Sequence, residues 1–166
     1  MDTLAQALWF SPADLAENQL GRMTTAQQAR FQLAFRRQLR LTALAGLALT
    51  IFYLVLVLTD ETGDALRCLT PFFLGVMGVM GYTTVRASER LQQDILAAQV
   101  VRVQGSIQKL KRRSLTQSIS YWIICTGLRF RTSQAGFLAF QSGEQYTLYI
   151  APHTQVILSA EHRGSS

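Results

Sequence analysis

Leu41 to Leu58 reads LTALAGLALTIFYLVLVL, eighteen residues without a charge. At 1.5 Å per residue such a run makes about 27 Å of helix, close to the ~30 Å hydrocarbon thickness of a bilayer. A second uncharged run, Cys68 to Val85, reads CLTPFFLGVMGVMGYTTV. Neither run keeps the polar face that a core helix of a soluble protein carries. Two transmembrane helices are therefore expected, at about 41–58 and 66–85, the second able to borrow Ala65 and Leu66 if Arg67 snorkels to the outer interface. A cleaved signal peptide is not expected, because forty residues precede the first run and signal sequences begin near residue one.

The connector, Thr59 to Arg67 (TDETGDALR), is short and acidic with Gly63 in its middle, which predicts an antiparallel hairpin with an outer turn at 59–65. Its net charge is −2, from Asp60, Glu61 and Asp64 against Arg67. Before the first run, Arg22, Arg30, Arg36, Arg37 and Arg40 stand against Asp2, Asp14 and Glu17, a net +2. From Arg86 onward ten basic residues face four acidic ones, a net +6. Arg36, Arg37, Arg40, Arg86 and Arg90 crowd one side of the bilayer. The positive-inside rule then puts both termini in the cytoplasm and the acidic turn outside, in a multi-pass protein of the cell inner (plasma) membrane.

Composition agrees with this division. The 166 residues are 49% apolar but only 16% charged, where a soluble domain carries about 25%. Mean hydropathy is +0.16 although the formal charge is +6. Grease and charge sit in different segments, which argues against a disordered tail, a disulfide-rich secreted miniprotein and an ordinary soluble enzyme.

Small residues mark helix-packing positions. Thr42, Gly46 and Thr50 recur every four residues on the first run, and Gly75, Gly78 and Gly81 every three on the second. Such stripes let backbones approach closely in lipid, either within the hairpin or against a partner's helix. Pro71 predicts a kink early in the second run. No ionisable residue lies inside either run, which argues against an ion path within this chain.

Outside the hairpin, residues 1–40 read as cytoplasmic amphipathic helices. One contains Leu4, Leu8 and Trp9. A second is announced by Ser11-Pro12-Ala13-Asp14, an N-cap followed by proline at the first helical position and an acid at the third. It stops near Gly21, and Thr24 or Thr25, with Gln27 or Gln28 three residues on, caps a third. That helix carries Phe31, Phe35 and Leu39 on one stripe, as an interfacial helix, a docking ridge or a helix packed on the rest of the chain. Residues 86–97 extend the second membrane helix.

From 98 to 162 the period changes to two, before a tail at 163–166. Strands are expected at Val101–Gln108 with Gly105 as a bend, at Ser118–Cys125, and at Leu128–Thr132 across Thr126-Gly127. Others are expected at Phe137–Phe140, Gln145–Ile150 and Gln155–Ala160. Lys109 to Arg113 (KLKRR) reads as a basic turn. Six short strands suggest a small antiparallel β domain, a closed or half-open barrel of the SH3-like or OB-like type, with a compact antiparallel sheet packed against the helical extension as the alternative. The fold class is thus an α+β membrane protein. The core would hold Val101, Val103, Ile107, Tyr121, Ile123, Leu128, Phe130, Phe137, Tyr146, Leu148, Ile150, Val156 and Leu158, which is thin for a free-standing domain.

Catalytic groups are scarce. His153 follows Pro152 in a turn, His162 lies near the end, Cys125 reads as a small core residue, and no phosphate loop, HExxH, GxSxG or CxxC occurs. No catalytic residue, metal site or cofactor is expected. The concentrated signal is Lys109, Lys111, Arg112 and Arg113, with Arg129 and Arg131 in reach. Beside a membrane such a cluster attracts anionic lipid; a protein partner ranks next, and nucleic acid is the least expected.

The order of parts, a membrane hairpin followed by a small β barrel, resembles that of bacterial membrane accessory proteins of the NfeD class. The resemblance is architectural and carries no residue across. The expected function is non-enzymatic: an accessory, assembly or scaffold subunit of a larger membrane complex, whose β domain binds other membrane protein subunits or a second copy. The alternative is a membrane-anchored sensor whose basic β domain reads anionic lipid, a small effector or nucleic acid.

Overall fold

The structure, a computed structural model, describes residues 3–59, 63–113 and 119–164. The turn acids Asp60 and Glu61, Ser118 and the last two residues lie outside the described residues. In chain order the elements are α1 (Thr3–Leu8), α2 (Pro12–Gln19), α3 (Thr25–Thr59), α4 (Asp64–Ala97), β1 (Val101–Arg113), β2 (Ile119–Cys125), β3 (Leu128–Thr132), α5 (Gln134–Ala139), β4 (Gln145–Ile150) and β5 (Ile157–Arg163). The fold is mixed: helices, one of them long and apolar, and an antiparallel five-stranded sheet.

Local sequence sets the helix starts. Ser11 Oγ accepts the Asp14 N–H at 3.1 Å while Asp14 Oδ2 accepts the Ser11 N–H at 3.0 Å, a complete capping box ahead of Pro12. Thr24 and Gln27 repeat the device at α3, with bonds of 3.1 and 3.2 Å. Each box satisfies orphan N–H donors of a first turn and stabilises it by about 1 kcal/mol.

The chain divides into two compact units, residues 29–92 and residues 1–28 with 93–166. The first is an antiparallel pair formed by α3 and α4. Tyr53 stacks on Phe73 with ring centroids 4.4 Å apart, and its hydroxyl bonds that of Thr70 at 2.8 Å. Leu44, Ile51, Phe52, Leu58, Phe72, Leu74 and Val79 point away from this contact and are more exposed than buried. Among the described residues one helix, Thr25–Thr59, is long and apolar enough to cross a membrane; its most apolar window has a mean hydropathy of 2.5 and is 0% buried. Pro71 sits inside α4, whose helix runs on through Arg86 to Ala97.

The second unit is built on the sheet, in the order β3-β2-β1-β4-β5. Strand β1 is shared end to end: Val101–Ser106 pairs with β4, and Ile107–Arg113 pairs with β2. At the junction the β2–β3 turn closes on Gly105, where a Cβ would stand 2.7 Å from Thr126 Cγ2 and 3.2 Å from Cys125 Sγ. The core is Ile107, Ile123, Cys125, Phe130, Phe140, Tyr146, Leu148, Ile150, Ile157 and Ala160, with Leu4, Leu8, Val103 and Phe137 packed against it. Leu4 and Leu8 come from α1, so the N-terminal helices complete a core that strands alone leave thin.

Several sequence expectations change. Among the described residues the sheet ends at β3 and β5, so it is not a closed barrel. Five strands form, because Phe137–Phe140 is not one of them: Ser133 Oγ accepts the Gly136 N–H at 3.0 Å and starts α5 instead. KLKRR is not a turn. It is the far half of β1, because antiparallel pairing from Lys109↔Ile123 to Arg113↔Ile119 satisfies its backbone while the charged ends reach water. The last strand lies later than expected and takes in His162. Val101, Leu128 and Val156 are 45%, 45% and 40% exposed, outside the core proposed for them.

Candidate interaction surfaces

The unit of α3 and α4 holds a groove of about 520 Å³ lined by Thr42, Gly46 and Thr50 on one side and Met77, Met80 and Gly81 on the other. Gly46 is buried, and a Cβ there would stand 3.9 Å from Met77 Cε. Thr50 Oγ1 turns back to the Gly46 carbonyl at 2.9 Å. The stripe on α3 therefore faces α4. The stripe on α4 is divided: Gly81 lines this groove and Gly75 and Gly78 do not, and at all three, which are exposed, a Cβ would meet nothing within 4 Å beyond the neighbouring backbone of α4 itself.

Of the arginines flanking this pair, Arg36, Arg37, Arg40 and Arg90 are exposed, and Arg86 Cζ lies 5.1 Å from the centroid of the Tyr82 ring.

In the sheet unit the basic cluster divides by strand parity. Lys109, Lys111 and Arg113 share the face of buried Ile107; Lys109 Nζ lies 4.9 Å above the Phe137 ring, and Tyr121 packs on Phe137 at 5.0 Å. Arg112 lies on the other face. Cross-strand register adds Arg131 opposite Trp122 and Arg129 opposite Ile124 to that second face, with Trp122 in turn opposite Leu110. Sequence proximity gathered Lys109 to Arg113 into one site; alternation separates them.

Two polar networks hold the unit together, and neither announces itself in the sequence. Asn18 Nδ2 donates to Ser159 Oγ at 2.8 Å, and Gln19 donates to Glu161, which ties α2 to β5. Asp94, fully buried in the last turn of α4, accepts the N–H groups of His153 and Thr154 at 2.9 and 2.7 Å and so fixes the β4–β5 turn. Residues 21–23 pair with 98–100: Met23 N–H donates to the Ala98 carbonyl at 2.9 Å, and Val100 N–H to Gly21 at 3.0 Å. The segment entering α3 is thereby stitched to the segment leaving α4.

A cleft of about 520 Å³ runs along the β5 edge, lined by Phe10, Gln141, Tyr146, Glu161, His162 and Arg163 among others. Tyr146 OH accepts the Gln141 N–H at 3.1 Å, and its ring meets His162 edge to face at 5.0 Å. His162 Nε2 lies 3.3 Å from Glu144, with both side chains about two-fifths exposed at 42% and 41%. Tyr149 donates to Glu161 at 3.2 Å; burial, together with the Glu161 charge and that bond, raises its phenol above the usual range against opposing pulls from Arg102 and Arg163. Burial likewise raises the Cys125 thiol, although a hydrogen bond with Thr126 works the other way. A nucleophilic thiol needs a lowered pKa and access, and Cys125 has neither. Among the described residues no group of three or more His, Cys, Asp and Glu is arranged to hold a metal ion.

No protein-family model and no curated protein matches this chain.

Proposed function

We propose that this chain is a non-enzymatic integral membrane protein. The pair α3–α4 spans a bacterial inner membrane as a hairpin with both termini in the cytoplasm. The sheet unit serves as an interaction module, so that the protein acts as an accessory or assembly subunit of a larger membrane complex. The observation that carries this reading is α3, with its apolar window of mean hydropathy 2.5 and 0% burial. In water, exposing that window would forfeit about 25 cal/mol for every Å² of apolar surface; in lipid it costs nothing. The arginines at the other ends of the two runs and the acidic residues in their connector favour that orientation.

The accessory role draws on Gly75 and Gly78, exposed on α4 outside the groove that Gly81 lines, which leaves a close-approach face for another subunit's helix. Cys125 is buried and burial raises its thiol, the opposite of an activated nucleophile. The test is extraction. Membranes washed at alkaline pH should retain the chain, and mild detergent should release it in a stoichiometric particle heavier than its 18.6 kDa. A chain that washes off, or a folded lone monomer, contradicts the reading. A second reading, that the basic sheet unit senses lipid, is favoured by the sorting of Arg112, Arg129 and Arg131 onto one face.

A further inference from the structure

The register of β1, β2 and β3 distributes their side chains unequally between the two faces of the sheet. On the face toward α1 and α5, Phe130 is in the core and Tyr121 packs against Phe137. The opposite face carries Leu110, Arg112, Trp122, Ile124, Arg129 and Arg131. The three arginines are exposed, Leu110 is 38% exposed, and Trp122 and Ile124 are half-buried. Neighbouring strands lie about 4.8 Å apart, so Leu110, Trp122 and Arg131 form one continuous row, and Ile124 and Arg129 another. No acid occurs on any of the three strands.

We infer that this face docks onto an anionic phospholipid surface, its arginines on headgroup phosphates and Trp122, Leu110 and Ile124 at the level where headgroups meet acyl chains. The proposal rests on the membrane reading above and deepens it by naming what the sheet unit binds. Charge complementarity selects a polyanion, and each arginine near an anionic leaflet strengthens binding. The aromatics then choose between polyanions. A single-stranded nucleic acid needs a platform on which successive bases stack, but the pleat turns Tyr121 and Phe130 to the other face and leaves Trp122 alone. One tryptophan, two aliphatic side chains and a fringe of arginines is instead the composition of an interfacial surface.

The test uses the full chain with Trp9→Phe, which makes Trp122 the remaining tryptophan. It is placed in nanodiscs of phosphatidylcholine alone or mixed with phosphatidylglycerol. Docking predicts that phosphatidylglycerol shifts Trp122 emission to shorter wavelength and lowers its quenching by acrylamide, an effect that fades as salt is raised. R112Q/R129Q/R131Q should abolish the shift, and R112K/R129K/R131K should keep it. K109Q/K111Q/R113Q removes the same charge from the opposite face and should also keep it. No shift with phosphatidylglycerol, or equal loss in both glutamine triples, overturns the proposal. A single-stranded oligonucleotide bound by the detergent-solubilised chain and released by R112Q/R129Q/R131Q, without a lipid response, assigns the face to nucleic acid and also overturns it. Loss of the chain from alkali-washed membranes contradicts the anchor alone, and the same Trp122 comparison on added phosphatidylglycerol vesicles then decides the face.

Discussion

Asn18 and Ser159 lie 141 positions apart in the chain, yet the Asn18 amide donates to the Ser159 hydroxyl at 2.8 Å with both side chains buried. This bond ties the N-terminal helices to the edge strand β5. Removing Asn18 leaves a buried hydroxyl with one partner fewer, at a cost of about 1–3 kcal/mol. Thermal unfolding of the detergent-solubilised chain should show Asn18→Ala less stable by that order. A double-mutant cycle with Ser159→Ala should show the two losses to be less than additive. Additive losses would mean that the pair does not couple.

Asp94 is a second anchor of the same kind, with stronger bonds because its acceptor is a carboxylate. Asp94→Ala orphans the amides of His153 and Thr154, so those two should exchange hydrogen faster than in the parent chain. Asp94→Asn, which keeps one acceptor oxygen, should fall between. Unchanged exchange at both amides in Asp94→Ala would contradict the anchoring role.

Gly136 sits where α5 meets β3 and α1. A Cβ there would fall onto Thr132 Oγ1 and stand 3.2 Å from Leu8 Cδ2. Gly136→Ala should therefore destabilise the sheet unit by about 1–3 kcal/mol and loosen α1. Limited proteolysis should then cut the first ten residues faster in Gly136→Ala than in the parent.

The raised groups set an alkaline limit. A folded-state pKa above the unfolded value means that the folded chain holds its proton more tightly. The resulting stability is complete below the unfolded value and is lost as pH climbs through the folded one. For Cys125 the ordinary value is 9.0 and for Tyr149 it is 10.0, and burial raises both. Stability should hold through neutral pH and decline above about pH 9–10, with a shallower decline in Tyr149→Phe. In a Cys68→Ser background, a thiol reagent at neutral pH should leave Cys125 unmodified until the chain unfolds.

Local signals were legible in the sequence and non-local ones were not. Ser11, Pro12 and Asp14 contain their own helix start, since a capping box closes within three residues. The β2–β3 hairpin was equally plain, because Thr126 and Gly127 take the two positive φ values, 50° and 81°, of a tight two-residue turn between alternating strands. KLKRR misled because its charges suggest a loop, whereas its structure is decided by pairing with residues 119–123. Phe137–Phe140 misled because four apolar-rich residues fit either period, and the Ser133 cap broke the tie. The Asn18–Ser159 and Asp94–Thr154 contacts have no sequence signature, since each joins polar residues that look like surface when read alone. Likewise the partition of Lys109 to Arg113 between two faces becomes visible once β1 is known to continue through them.

Cysteine labelling decides whether α3 and α4 cross the membrane as the proposed hairpin with both termini inside. In a Cys68→Ser, Cys125→Ala background, single cysteines are placed at Thr59, beside the acidic turn, and at Ser106, on β1. An impermeant maleimide added to intact bacterial cells should label Thr59→Cys at once and Ser106→Cys after permeabilisation. Labelling of Ser106→Cys in intact cells, or protection of Thr59→Cys there with labelling on permeabilisation, would contradict that hairpin.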